Sequence, residues 1–191
     1  MSFLPAEKQL EILMRGVIDQ VPQGALLEKL RRSKESGVPL RIKMGVDPTA
    51  PDVHLGHTVV MRKLRQFQDL GHQVVLIIGD YTAMVGDPSG RSTTRAPLTH
   101  EEVLHNAETY QKQFFQIVDE KKTEIHYNGD WFSKLPFSQV LHLLSQMTVA
   151  QMLERQDFSA RYKNGSSIGI HEFVYPLMQA WDSVMIRADV E

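Results

Sequence analysis

The stretch PLRIKMGVDPTAPDVHLGHTVVMRKLRQFQDLGHQVVLIIGD, Pro39 to Asp80, decides the fold. Its first nine residues read as a short strand running into a glycine-bearing loop. DPTAPDVH is loop, rich in proline and aspartate. HTVVMRKLRQFQDLG has helical periodicity and closes at Gly71. HQVVLIIGD is a near-continuous β-branched run, as expected of a strand buried on both faces of a parallel sheet. Strand, loop, helix, strand is a βαβ unit, which predicts a right-handed crossover. Ligands in such sheets bind outside the carboxyl ends of the strands. Two glycine-bearing loops fall there, MGVDPTAPDVHLGH (Met44–His57) and GDYTAMVGDPSGRSTTR (Gly79–Arg95).

Upstream, Pro5 to Val21 sets Leu10, Leu13, Met14, Val17 and Ile18 at helical spacing, and a second helix runs from Ala25 to a stop near Gly37. After Pro97 the chain turns mostly helical. Thr99 with Glu102 forms a capping box. Thr123–Tyr127 reads as a third strand, and Phe137–Arg155 as one or two helices with a broad apolar face. Ser159–Ile170 reads as loop, and His171–Glu191 as a last helix leading into the beginning of a strand. The expected fold is α/β: a Rossmann-type parallel sheet with helices on both faces, cut short before the sheet is complete. A helical segment is expected over 1–38. The Rossmann-type domain spans 39–191, with a helical insertion at about 132–170.

The 191 residues, 42% hydrophobic and 23% charged, suffice for one domain with a real core. Lysine and arginine number 21 against 23 acids, a net charge of -2. That balance argues against gripping nucleic acid by bulk charge and leaves room only for a local basic patch such as Lys29, Arg31, Arg32 and Lys34. The lack of cysteine excludes disulfides, thiolate metal sites and a thiol nucleophile. No apolar run approaches bilayer length, and the first residues carry acids, so neither signal peptide nor membrane anchor is expected and cytoplasm is the default.

Three readings compete for His54 and His57 around Gly56. Zinc needs a third protein ligand that no nearby pattern supplies. Ordinary packing or capping explains a single histidine better than a pair. A phosphate reading has a mechanism: a helix start offers unpaired N–H groups and the positive end of the dipole, and Gly56 lets a ligand approach the backbone. Imidazoles there add donors for developing charge, and Thr49 adds a hydroxyl. GDPSGRS (Gly86–Ser92) fails as a P-loop, having three residues between its glycines and an arginine for the lysine. It reads as a tight turn, or as a turn that projects Asp87 inward with Arg91 and Arg95 near a phosphate. In YPLMQAWD, Tyr175, Gln179 and Asp182 share one helix face. Polar groups on an otherwise apolar face either pair with neighbours or line a pocket.

Together these segments resemble a class I aminoacyl-tRNA synthetase, and within that class the bacterial tyrosyl-tRNA synthetases. His54-Leu55-Gly56-His57 matches the class signature. GVDPTAPDVHLGH, GDPSG and YPLMQAWD occur in the family's order and spacing. The resemblance implies activation of tyrosine by ATP with magnesium, transfer to tRNA(Tyr), and a homodimer formed around Phe137–Ile170. It implies that His54 and His57 stabilise the ATP α-phosphate, that Gly56 lies under adenine, and that Gly45, Asp47 and Thr49 line the ATP site. Asp87, Tyr175 and Gln179 would hold the tyrosine ammonium, and Asp182 would accept from its phenol. Arg91 and Arg95 would face pyrophosphate. Asn128 and Trp131 match a segment near the tyrosine pocket.

Lys43 departs from the pattern, standing where many members have a tyrosine. It shares a strand face with Arg41 and Gly45, and we expect it to pair with Asp182 or Asp80 and help fix the phenol. The chain also ends before the family's later elements, so the fragment alone is expected to be nearly inactive. The rival readings are a tryptophan–tRNA ligase, a nucleotidylyltransferase sharing the HxGH signature, or a non-catalytic binding module.

Overall fold

The computed structural model describes residues 3–49, 53–86 and 99–191. Strands β1 (Arg41–Val46), β2 (Gln73–Ile78) and β3 (Thr123–Tyr127) pair in parallel in that order. Helices α1 (Ala6–Leu13) and α2 (Ala25–Ser36) precede the sheet, and α3 (Leu55–Asp69) joins β1 to β2. The short α4 (Thr82–Val85) leaves β2, and α5 (His100–Phe114) leads towards β3. Beyond β3 come α6 (Gly129–Phe132), α7 (Phe137–Leu144), α8 (Val149–Met152), α9 (Gln156–Lys163) and α10 (Val174–Met185).

The VVLII run is central because it has no polar side chain to expose: Val74 to Ile78 are all 0% exposed. Burying each such side chain stabilises the fold by roughly 1.5–3 kcal/mol. Alternation sends Val74, Leu76 and Ile78 to one face, with Ile42 of β1. There they meet Met61, Leu64 and Phe67 of α3 and Ala107, Tyr110 and Phe114 of α5. Ala6, Leu13 and Leu30 of α1 and α2 join that same core. Val75 and Ile77 point the other way, against Ile186 and Trp131. Helices therefore cover both faces. On the outer edge of β1, Lys43 N–H donates to the Val190 carbonyl (2.8 Å) and Val190 N–H to the Arg41 carbonyl (3.2 Å), which begins a further parallel pairing. Among the described residues no helix is long and apolar enough to cross a membrane.

Two expectations need correction. The first helix ends at Leu13 instead of running to Val21. Lys63 Nζ takes the carbonyls of Leu13 (2.7 Å) and Arg15 (2.9 Å), Gly16 turns left-handed at φ 75°, and Ile18 lies fully exposed. Ser159–Lys163, read as loop, belongs to α9. Tertiary contacts override its weak periodicity: Phe158 packs on Phe173 (ring centroids 4.8 Å), and Arg161 pairs with the buried Glu172. The capping box of α5 forms as read, with Glu102 N–H donating to Thr99 Oγ1 (3.3 Å) and Thr99 N–H to Glu102 Oε2 (2.8 Å). Thr99→Ala is accordingly expected to lower stability by about 1 kcal/mol, read as a shifted urea midpoint with unchanged slope.

Candidate functional site

The carboxyl ends of the strands carry the site. Asp47 follows β1, Gly79 and Asp80 follow β2, and Asn128 follows β3. The ladder continues into these exits, Gly79 N–H donating to the Val46 carbonyl (2.8 Å) and Asn128 N–H to the Ile78 carbonyl (3.0 Å), which fixes their backbone. A narrow cleft opens there between Gly45, Asp47, Gly79 and Thr82 on the sheet side and Tyr175, Gln179 and Asp182 on α10.

Its polar groups form one chain of hydrogen bonds. Tyr175 OH donates to Asp47 Oδ2 (2.9 Å), and Thr82 Oγ1 donates to Asp47 Oδ1 (2.7 Å). Asn128 Nδ2 donates to Thr82 Oγ1 (2.9 Å) and to Asp182 Oδ2 (3.2 Å), while Trp131 Nε1 donates to Asp182 Oδ1 (3.0 Å). Asn128 Oδ1 accepts from Tyr81 N–H (3.0 Å), so both ends of the amide are engaged and its orientation is fixed. Asp182 is only 4% exposed. Burial pushes its carboxyl up to about 6, against the pull of its two donors and of the Lys43 charge; the Asp47 charge adds a smaller push upward. A carboxylate has about four lone-pair positions, so two donors leave Asp182 able to accept more.

Gly79 makes the tight arrangement possible. A Cβ there would lie 2.0 Å from Asp47 Oδ1 and 2.3 Å from Thr82 Oγ1. Gly129 plays the same part for α6: Asp80 Oδ1 accepts its N–H (2.7 Å), and a Cβ would come within 2.6 Å of Asp80 Oδ2.

His54 and His57 cap α3 reciprocally. His54 Nδ1 accepts from Gly56 N–H (3.1 Å), and His57 Nδ1 accepts from His54 N–H (3.2 Å). The rings stack with centroids 3.8 Å apart. An amide nitrogen only donates, so both Nδ1 atoms are unprotonated and each neutral ring carries its proton on Nε2. Burial, and the His54 ring beside it, hold His57 below the usual histidine range. A Cβ on Gly56 would come within 2.9 Å of the His54 ring, so the glycine first of all makes room for that imidazole.

Tyr175 and Asp182 thus satisfy both readings left open by the sequence: they pair with neighbours and they line a cleft. Gln179 lines it too, exposed. Thr49 N–H donates to the Asp47 carbonyl (2.7 Å), which keeps the loop turned beside that carboxylate. The expected pairing of Lys43 is overturned. Its Nζ donates to the Gln179 carbonyl (2.9 Å), Ser183 Oγ (2.8 Å) and Glu191 Oε2 (2.8 Å) instead of to Asp182 or Asp80, and it lies behind the cleft instead of lining it. Asp80 is engaged by Gly129. Asp87, Arg91 and Arg95 lie outside the described residues. Thr82 and Gly79 were missed; the available signal was a small polar residue and a glycine leaving a buried strand at the ligand-binding edge.

A larger cavity of about 350 Å³ lies between α1, α2, α3 and Asp189–Glu191. Its lining is mainly apolar, and its lysines already bond backbone carbonyls: Lys63 those of Leu13 and Arg15, and Lys29 that of Asp189. It brings together no chemistry comparable to the cleft.

Residues 34–191 match the model of tRNA synthetases class I (W and Y). The tyrosine–tRNA ligases of Carboxydothermus hydrogenoformans and Thermotoga maritima are each 57% identical over 185 residues, 97% of this chain and 45% of theirs. The chain therefore spans a little under half the length of these curated relatives. A C-terminally truncated mitochondrial tyrosyl-tRNA synthetase of Aspergillus nidulans superposes with a TM-score of 0.74 at 27% identity, over 95% of this chain and 54% of that one. With a parallel sheet, paired histidines at a helix start and a carboxylate-lined cleft at the strand ends, the chain belongs to the class I (W and Y) tRNA synthetases.

Proposed function

We propose that this chain is the amino-acid-activating part of a tyrosine–tRNA ligase. The observation that carries the reading is Asp182: a buried carboxylate aimed by Asn128 and Trp131 at a cleft beside the strand ends, with acceptor capacity left for a phenol. The identity to tyrosine–tRNA ligases supports it.

The reaction needs little covalent help from the protein. An oxygen of the tyrosine carboxylate attacks the α-phosphorus of ATP. The new P–O bond forms as the bond to the bridging oxygen of the β-phosphate breaks, and pyrophosphate leaves with the electron pair. The tyrosyl group then passes to tRNA(Tyr) as an ester. The site supplies orientation and charge stabilisation. The outward Nε2–H groups of His54 and His57 face the phosphates. Gly45, Asp47 and Thr49 serve the ATP side, and Gly56 allows adenine to approach the helix start. Asp87, Tyr175 and Gln179 hold the ammonium, and Arg91 and Arg95 receive pyrophosphate. The Tyr175–Asp47 bond links the amino-acid side of the cleft to the ATP side. Magnesium enters with ATP as part of that substrate.

We further assign the protein to the cytoplasm and read the helical region 132–170 as a homodimer face. Phe137 is 73%, Val149 65% and Ile170 85% exposed, apolar side chains that a second copy would cover. Sedimentation as a monomer at micromolar concentration would remove the dimer.

Calorimetric titration tests the main reading. It uses the polypeptide carrying this chain at the length of its relatives, with L-tyrosine, and with L-phenylalanine and L-tryptophan as controls. Saturable binding of tyrosine alone, followed by tyrosine-dependent ATP–pyrophosphate exchange, is the expected result. Equal binding of phenylalanine would remove the role of Asp182, and preference for tryptophan would replace the substrate.

A further inference from the structure

Lys43 is 4% exposed, and a lysine buried that deeply needs partners for its charge and its three protons. It has three acceptors from two elements. The Gln179 carbonyl and Ser183 Oγ belong to α10, and Glu191 Oε2 lies at the edge where the chain pairs with β1. Ser183 Oγ also donates to Glu191 Oε2, so ammonium, hydroxyl and carboxylate close on one another. Gln179 and Ser183 sit on either side of Asp182 along the helix, one turn apart. The lysine therefore grips the turn that carries the carboxylate, from behind the cleft and without entering it.

We propose that Lys43 is a positioning residue for phenol recognition: its ammonium, clamped between α10 and Glu191, holds the Asp182 carboxylate at its depth in the cleft and in its acceptor state. The inference rests on the reading of Asp182 as the phenol's acceptor. Among the described residues, the charged and titratable groups around Asp182 are Lys43 and Asp47 from β1 and its exit loop, Tyr175 on α10, Glu191 behind Lys43, and His126 across the Trp131 ring (6.4 Å between centroids). Lys43 is the cation among them that favours the ionised carboxylate, and Glu191 is the anion that partly cancels it.

Two substitutions should therefore move the site in opposite directions. Lys43→Met keeps the length and apolar stem while removing the charge. It should shift the acid limb of tyrosine binding up by about one pH unit and cut the preference for tyrosine over phenylalanine about tenfold. Glu191→Gln leaves the lysine less neutralised and should shift the same limb down. Lys43→Arg should restore the wild-type limb. The measurement is tyrosine and phenylalanine affinity across pH 5–8, on the polypeptide at its relatives' length. If wild type fails to bind tyrosine, the functional reading falls before the lysine is tested. If wild type binds and neither variant moves the limb, even with lowered stability, Lys43 is a structural ion pair only and the proposal is overturned. Should Lys43→Met fail to fold, Glu191→Gln decides alone. Its carboxylate is half exposed, so its loss leaves no buried charge in its place.

Discussion

Replacing His54 by asparagine is expected to leave stability near wild type while slowing tyrosine-dependent ATP–pyrophosphate exchange about 10²–10³-fold. The variant separates two jobs held by one side chain. Inward, His54 Nδ1 accepts from Gly56 N–H at the start of α3, a task asparagine performs well. Outward, the ring carries an Nε2–H, an orientation forced by the amide that occupies Nδ1. Asparagine is too short to put a donor there. Alanine should lose both functions, slowing exchange as much and also destabilising α3 by about 1 kcal/mol. Tyrosine affinity should be unchanged in both variants, because the amino-acid side of the cleft is built from Thr82, Tyr175 and Asp182. Exchange at wild-type rate in His54→Asn would reduce the histidine to a helix cap.

The sheet and its helices were legible because their signals are local. VVLII can only be a strand hidden on both faces, and Gly37 and the Thr99 box mark helix ends within a few residues of sequence. The site was legible as residue types at the strand exits, and Asp47, Tyr175, Gln179 and Asp182 do meet in one cleft. Its wiring was not legible. Thr82 joins Asp47, 35 residues before it, to Asn128, 46 residues after it, and nothing in GDYTAM marks that threonine beyond its place at a strand exit. Lys43 shares a strand face with Gly45, as alternation demands. Which acceptor it meets depends on where α10 lies against the sheet, a non-local arrangement in which Ile186 packs on Val75 and Ile77. The overlong first helix failed for a similar reason. Lys63, about 50 residues away, captures the carbonyls that would have continued it.

Asp182→Asn should lower tyrosine affinity about 100-fold and leave phenylalanine affinity nearly unchanged, removing most of the discrimination between them. In the wild type both carboxylate oxygens accept, from Asn128 Nδ2 and Trp131 Nε1, and further lone pairs face the cleft. An asparagine must turn its NH₂ either towards one of those donors or towards the phenol. The first choice leaves two donors opposed in a buried place, and the second removes the acceptor a phenol needs. Phenylalanine has no hydroxyl to lose, so its binding registers little of this. The pH dependence has a sign that tells the group apart from its neighbours. Because burial raises the Asp182 carboxyl to about 6, tyrosine binding should weaken as pH falls through 6. Stability moves oppositely at this residue. The folded state binds a proton that the unfolded state does not between pH 6 and its ordinary value of 3.8. The charged form thus costs about 3 kcal/mol at neutral pH, and that cost is relieved on acidification. A chain that binds tyrosine less well at pH 5 than at pH 7, with this component lost in Asp182→Asn, fits that linkage. A binding profile flat from pH 7 to 5 in the wild type would show that the phenol is read by another group.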